Sequence, residues 1–118
     1  MIKEDEILGK IENQKLKSFY EKFLKNTGLN VHFERLHNRV RAEYSYTDNS
    51  DTFIIRLRKD WREVDLSHEL IHGKIMFMDQ YGLIICDNAL CELIRAYIED
   101  IIVHENIYNK FGIIPYDE

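Results

Sequence analysis

The sequence predicts a single α+β domain spanning residues 1–118. Three short runs in its first half alternate apolar and polar side chains with a period of two, which indicates strands. The segments on either side repeat apolar side chains every three or four residues, which indicates helices. We therefore expect an N-terminal helix, a three-stranded antiparallel sheet and two further helices. A chain of 118 residues is long enough to bury one hydrophobic core without the help of disulfides or structural metals.

The N-terminal segment reads as helical over residues 3–26. Its apolar stripe breaks between Ile11 and Leu16, so Asn13 marks a kink or a boundary between two helices. Gly28 follows the last apolar turn and is the expected C-cap, since glycine adopts the left-handed conformation that ends many helices.

The three predicted strands cover residues 30–36, 39–47 and 52–59. The link His37-Asn38 suits a tight hairpin between the first two, although the Asn-Gly signature is missing. Alternation in all three runs predicts an antiparallel sheet with one face on the helices and one more polar face.

The polar face of this sheet collects four arginines, namely Arg39, Arg41, Arg56 and Arg58. They could bind an anionic partner such as a nucleic acid, or they could form a solvated face balanced by Glu34 and Glu43. The net charge of −5 favours the second interpretation, because nucleic-acid binders normally carry a basic footprint. We expect no nucleic-acid partner.

The start of the chain is charged and lacks the apolar core of a signal peptide. No run is long enough to predict a membrane span. Cys86 and Cys91 do not make the disulfide framework of a secreted domain, so we interpret them as reduced thiols in a cytoplasmic protein. A cysteine metal site would need a second close Cys or His pair, which the sequence lacks.

The sequence contains the motif His68-Glu69-x-x-His72. Residues four apart lie on the same face of a helix, so the two imidazoles could bind one metal ion. Glu69 lies beside them, where it could take a proton from a metal-bound water. This is the pattern of zinc peptidases. The alternative is a half-buried helix whose histidines bond to their neighbours. The helical rhythm of residues 64–78 places the motif on a helix, which we expect to end at Gly82.

A catalytic zinc site normally has three protein ligands. The last helix, expected over residues 89–109 with Asp87 or Asn88 as its N-cap, offers the carboxylates of Glu92, Glu99 and Asp100. We expect the two last helices to form an antiparallel hairpin. The centre of the motif then lies about 17 Å before the turn, at 1.5 Å per residue, and the same distance along the returning helix reaches residue 99. Glu99 is therefore the expected third ligand. Glu92 becomes the alternative if the motif helix breaks early.

His104 is a different kind of candidate, as are Tyr97 and Tyr108 on the same helix. As hydrogen-bond donors near a metal, they could stabilise the oxyanion of a tetrahedral intermediate. More often, a lone histidine late in a helix only caps it or contacts solvent.

With these residues the chain resembles the small gluzincins, in which His-Glu-x-x-His is completed by a glutamate on a following helix. The order and size of its elements over roughly residues 15–108 resemble the ImmA/IrrE family of compact bacterial and phage metallopeptidases. The resemblance implies a minimal zincin-like fold and a cytoplasmic zinc peptidase that cleaves a protein target, with its glutamate at a longer spacing that suits Glu99. The chain departs from the usual pattern at Ile71, where Gly or Ala is common. It also lacks the Glu-x-x-x-Asp pattern of thermolysin-like enzymes. Four residues after Glu92 and Glu99 stand Ala96 and Val103 instead of aspartate.

The expected function is zinc-dependent hydrolysis of a peptide bond in a protein or peptide substrate. His68, His72 and Glu99 would bind Zn²⁺, and Glu69 would pass the proton of the zinc-bound water to the leaving amine. An extended substrate would add to the edge of the strand at residues 52–58. The competing function is a non-catalytic zinc-containing module that binds a protein partner. Glu69 favours the enzyme, because a purely structural site needs no base. The sequence leaves the substrate and the oligomeric state open.

Overall fold

The computed structural model describes residues 1–47, 50–79 and 88–113 and confirms an α+β fold. The elements follow in this order: α1 (Glu4–Lys10), α2 (Gln14–Thr27), β1 (Asn30–Leu36), β2 (Ala42–Thr47), β3 (Thr52–Arg58), α3 (Glu63–Lys74) and α4 (Ala89–Phe111). A π-helical turn, Ile75–Asp79, continues α3. One hydrophobic cluster draws side chains from both the helices and the strands.

The helix boundary expected at Asn13 is confirmed. The Asn13 side chain caps α2 by accepting a hydrogen bond from the backbone N–H of Leu16 at 3.1 Å. The expected C-cap is also confirmed, since Gly28 ends α2 with a left-handed φ of 67°. Asn13 further donates its backbone N–H to the Glu63 carboxylate and its side-chain amide to the carbonyl of Phe111. We call Asn13, Glu63 and Phe111 the Asn13 junction, because it joins the starts of α2 and α3 to the end of α4.

The prediction of an antiparallel sheet is wrong, because the sheet is mixed. Its strand order is β1-β3-β2. β3 pairs with β1 in parallel and with β2 in antiparallel orientation. The hairpin expected between the first two strands therefore does not form, and residues 37–41 instead cross the end of β3.

Burial explains why β3 lies in the centre. Its side chains Phe53, Ile55 and Leu57 are fully buried, which makes it the most deeply buried strand of the three. The crossing link is satisfied by Arg58, whose guanidinium donates to the carbonyls of Asn38 and Arg39. The backbone N–H of Arg58 also bonds to the carbonyl of Arg41. These bonds give hydrogen-bond partners to the backbone carbonyls of the link, which has no adjacent strand of a hairpin to pair with.

The expected division of the sheet into one buried and one more polar face is present on β3, where buried and half-buried residues alternate. On the polar face, Arg56 pairs with Glu34 at 3.2 Å and with Glu43 at 3.8 Å. Arg58 forms a two-point contact with Asp60. These two arginines therefore contact acidic side chains of the same chain.

The structure bears on two further expectations, the state of the cysteines and the absence of a membrane span. Cys91, in the first turn of α4, is disulfide-bonded, so the interpretation of a reduced thiol is wrong for this residue. No helix in the described parts of the chain combines the length and apolar character needed to cross a membrane. The expected helix end at Gly82, the alternative cap Asp87 and the second cysteine, Cys86, lie outside the described residues.

Candidate metal centre

The helix that carries the motif begins with its own hydrogen bonds in place. The backbone N–H of Arg62 donates to the Asp65 carboxylate at 2.8 Å, and the hydroxyl of Ser67 donates to the carbonyl of Glu63. With α3 regular from its first turn, the spacing of four stacks His68 and His72 on one face. Their Nε2 atoms lie 3.0 Å apart.

Asp100 on α4 completes a group that could hold a metal ion. Its Oδ1 lies 3.7 Å from Nε2 of His68 and 3.6 Å from Nε2 of His72. In a tetrahedral site with bonds of about 2.0–2.2 Å, ligand atoms lie about 3.3–3.6 Å apart. The three measured separations bracket that spacing, so the two imidazoles and this carboxylate fit one ion. We call them the donor triangle.

Glu99, the residue expected as third ligand, contacts the other nitrogen of His72. Its Oε1 lies 2.8 Å from Nδ1. A proton on Nδ1 donates to this carboxylate and leaves the lone pair of His72 on Nε2, the nitrogen that belongs to the donor triangle. Glu99 therefore occupies the place of an orienting carboxylate, and Asp100 occupies the place where the third ligand was expected.

The other two candidates on α4, Glu92 and His104, lie before and after Glu99 and Asp100 along the helix. Glu92 is exposed and pairs with Arg95, about 10 Å further along the helix than Glu99 by the rise per residue. The ring of His104 lies beside the ring of His68, with their centroids 5.6 Å apart. His104 therefore borders the donor triangle, whereas Glu92 does not reach it. Tyr97 and Tyr108 are largely exposed.

Burial favours the neutral form of His68. Desolvation, followed by the neighbouring His72, lowers the pKa of His68 from 6.5 to about 4. A neutral imidazole is the form that binds a metal, because its unprotonated nitrogen carries the lone pair. His68 is therefore uncharged at neutral pH.

Glu69 is buried beside the donor triangle, with 6% of its surface exposed. Burial, and then the negative charges of Asp65, Glu43 and Asp100, raise its pKa from 4.5 to about 8. A bound cation would oppose this rise by favouring the charged carboxylate. Glu69 is therefore a carboxyl group whose proton affinity lies near neutral pH, as a general base requires.

Tyr44 on β2 forms one wall of the site. Its ring stacks on His72 with the centroids 5.3 Å apart and the planes inclined by 28°, and it also stacks on Phe53. Burial, followed by the charges of Glu99 and Glu69, raises the pKa of Tyr44, so its hydroxyl stays protonated at neutral pH. The sequence places Tyr44 on an alternating strand but carries no signal that it meets the motif helix.

The structure therefore brings together four of the residues singled out from the sequence: His68, Glu69, His72 and Glu99. His104 lies at the edge of this group. Asp100 belonged to the carboxylates that the last helix offers, but only the orientation of α4 distinguishes it from Glu99.

Comparison of the chain with family models, with curated proteins and with solved structures gave no match to any of the three.

Proposed function

We propose that the chain is a zinc-dependent peptidase with His68, His72 and Asp100 as metal ligands. The observation that carries the proposal is the buried Glu69 beside a donor triangle of two imidazoles and one carboxylate. Catalytic zinc sites have three such protein ligands and an open position, whereas structural sites are usually closed by four. A buried carboxyl group whose charged form is disfavoured is also typical of a catalytic base.

Zinc bound at this position would supply a coordinated water with its pKa lowered towards ~7. The chain's own residues do the rest. Glu69 accepts a proton from the attacking water and delivers it to the leaving amine. Glu99 holds the Nδ1 proton of His72, and Tyr44 restricts the rotation of the same ring. We propose that His104, whose ring lies beside that of His68, donates a hydrogen bond to the developing oxyanion.

The expectation that substrate adds to β3 must be corrected, because β3 is paired on both sides. The strand next to the site is β2, through the contact of Tyr44 with His72. No described strand pairs with the outer edge of β2. We propose that an extended peptide adds to this edge, where backbone hydrogen bonds would position it beside the donor triangle.

The resemblance to the ImmA/IrrE family implies a protein target. Asp100 in the third position departs from the glutamate that gives the gluzincins their name. The proposal therefore keeps the reaction class and changes the residue that completes the site.

The test combines metal analysis with two matched substitutions. We expect about one zinc per purified chain, lost in His72→Ala. Glu69→Gln should retain zinc and lower cleavage by ~10²-fold or more, because an amide cannot accept the proton. Glu92→Gln makes the same change at an exposed carboxylate and should leave cleavage unchanged. Substrates can be sought in peptide libraries.

Two outcomes would contradict the proposal. Failure of the wild type to bind zinc in titration would remove the metal centre. Zinc binding together with a partner that binds wild type and Glu69→Gln alike, without cleavage, would favour the non-catalytic module.

A further inference from the structure

Residues 90–101 of α4 expose a continuous apolar face. Six side chains form it, each between 45% and 70% exposed: Leu90, Leu93, Ile94, Tyr97, Ile98 and Ile101. We call these six residues the α4 stripe. The buried residues of the helix, Val103, Ile107 and Phe111, all lie in its second half. The first half therefore projects beyond the core with its apolar side chains in solvent.

The spacing within the α4 stripe is that of a helix-pairing seam. From Leu90 the steps to Ile94, Tyr97 and Ile101 are four, three and four residues, the alternation of the a and d positions of a heptad. Leu93 and Ile98 flank this seam at g and e positions, where they widen the contact. A stripe with this period packs best against another helix that runs along it.

A cover on the α4 stripe would stabilise the helix, because most of the stability of a helix in a protein comes from packing of its apolar face. Glu99 and Asp100 lie in this exposed part of α4, between Ile98 and Ile101 of the α4 stripe, and the site requires both to be held in place. A cover that steadies these residues must be present whenever the site is formed, which favours a permanent neighbour over a transient one.

The area of the α4 stripe fits a second copy of the chain. From the exposed fractions, the six side chains offer roughly 700 Å² per chain, or roughly 1,400 Å² for two, within the range of stable interfaces of about 1,200–2,000 Å². A two-fold axis places the same surface on both partners, so one stripe is enough to build both halves.

We infer that the chain forms a homodimer through the α4 stripe and that dimer formation steadies Asp100 in the donor triangle. This goes beyond the proposed peptidase function and holds for any reaction at the site. Because dimerisation and metal binding both stabilise the same helix, each strengthens the other.

Sedimentation equilibrium of the full chain across a dilution series tests the dimer. We expect wild type to sediment as a dimer that dissociates on dilution. Ile94→Glu places a charge in the interface and should weaken dimerisation by ~30-fold or more. Ala89→Glu is the matched control, because it adds the same charge at an exposed position outside the stripe. Ala89→Glu should remain dimeric.

Zinc titration tests the coupling. Wild type diluted to monomer should bind zinc ~10-fold or more weakly than the dimer. This arm needs no substitution, so it does not depend on the folding of a variant. A wild type that is monomeric at every concentration would overturn the inference, and so would an Ile94→Glu protein that dimerises like wild type. Equal zinc affinity in monomer and dimer would overturn the coupling.

Discussion

The two helices that build the candidate site differ sharply in how they are held. In α3, nine of twelve residues are buried, and the helix packs on the sheet and on α2. In α4, only three of 23 residues are buried, all in the second half. His72 and Glu69 are therefore buried and His68 is half-buried, whereas Glu99 and Asp100 lie at the border between a packed and an exposed half-helix.

This difference indicates that the histidines and the carboxylates of the site are held in position by different parts of the fold. The positions of His68 and His72 follow from the packing of the whole domain. The positions of the carboxylates depend on how α4 is seated. Substitutions in α3 should therefore change folding stability as well as chemistry, whereas substitutions in the carboxylate half of α4 should act mainly on metal affinity.

The largest expected effect compares the two neighbouring carboxylates. Asp100→Asn should weaken zinc binding by ~100-fold or more through loss of a charged ligand, and Glu99→Gln by about 10–100-fold through loss of an orienting contact. Isothermal titration measures both, with the exposed Glu105→Gln as a control that should bind like wild type. A greater loss in Glu99→Gln than in Asp100→Asn would restore Glu99 as the third ligand.

A second prediction concerns the stability of the metal-free protein. Folding raises the pKa of Glu69 from 4.5 to about 8, so its ionisation destabilises the folded state increasingly as pH rises through this window. Glu69→Gln should remove this cost. At pH 7 the variant should gain about 3 kcal/mol over wild type, and near pH 4 it should gain almost nothing.

Urea unfolding in the presence of a chelator, repeated across pH, measures this gain. The lowered pKa of His68 costs stability as pH falls below 6.5 towards 4, but it does so in both proteins. The difference between them therefore isolates Glu69. A gain that does not change with pH would mean that Glu69 titrates normally.

The smallest expected effect tests the packing of α3 with two glycines. A Cβ at Gly73 would lie 2.9 Å from the Phe23 ring and 3.1 Å from the Phe53 ring, and both rings are buried. Gly73→Ala should therefore cost about 1–3 kcal/mol of unfolding free energy. Gly9→Ala, in α1 with nothing within 4 Å, should gain about 0.5–1 kcal/mol. Thermal unfolding compares them. Equal effects at both positions would show that α3 is less tightly packed than described.

The sequence predicted those features that are encoded by neighbours along the chain. The break at Asn13, the cap at Gly28 and the helix start at Asn88 were readable, because capping uses side chains within a few residues. The level of the carboxylates was also readable, since the rise of a helix is fixed. That argument placed residue 99 opposite the motif, and Glu99 contacts His72.

Features that depend on non-local packing were not readable. The period-two pattern identifies strands but not their order, so the central position of β3 had no signal. The rise per residue likewise gives the position of a residue along the helix axis. It does not show which side of the helix faces the site. Glu99 and Asp100 differ by about 100° around α4, and only its packed second half determines which one turns towards both Nε2 atoms. Tyr44 meets His72 for the same reason.

The Asn13 junction gives the two site helices the mechanics of a lever. It ties the start of α3 and the end of α4 at one point, through bonds from Asn13 to Glu63 and to Phe111. Asp100 lies eleven residues from Phe111, so α4 acts as an arm of about 16 Å. A rotation of roughly 4° about this point moves the carboxylate by about 1 Å, more than the ~0.5 Å that a preorganised site tolerates. Small angular changes at a distant asparagine would therefore be magnified at the donor triangle, and a ligand bound across both arms would lock the angle between them.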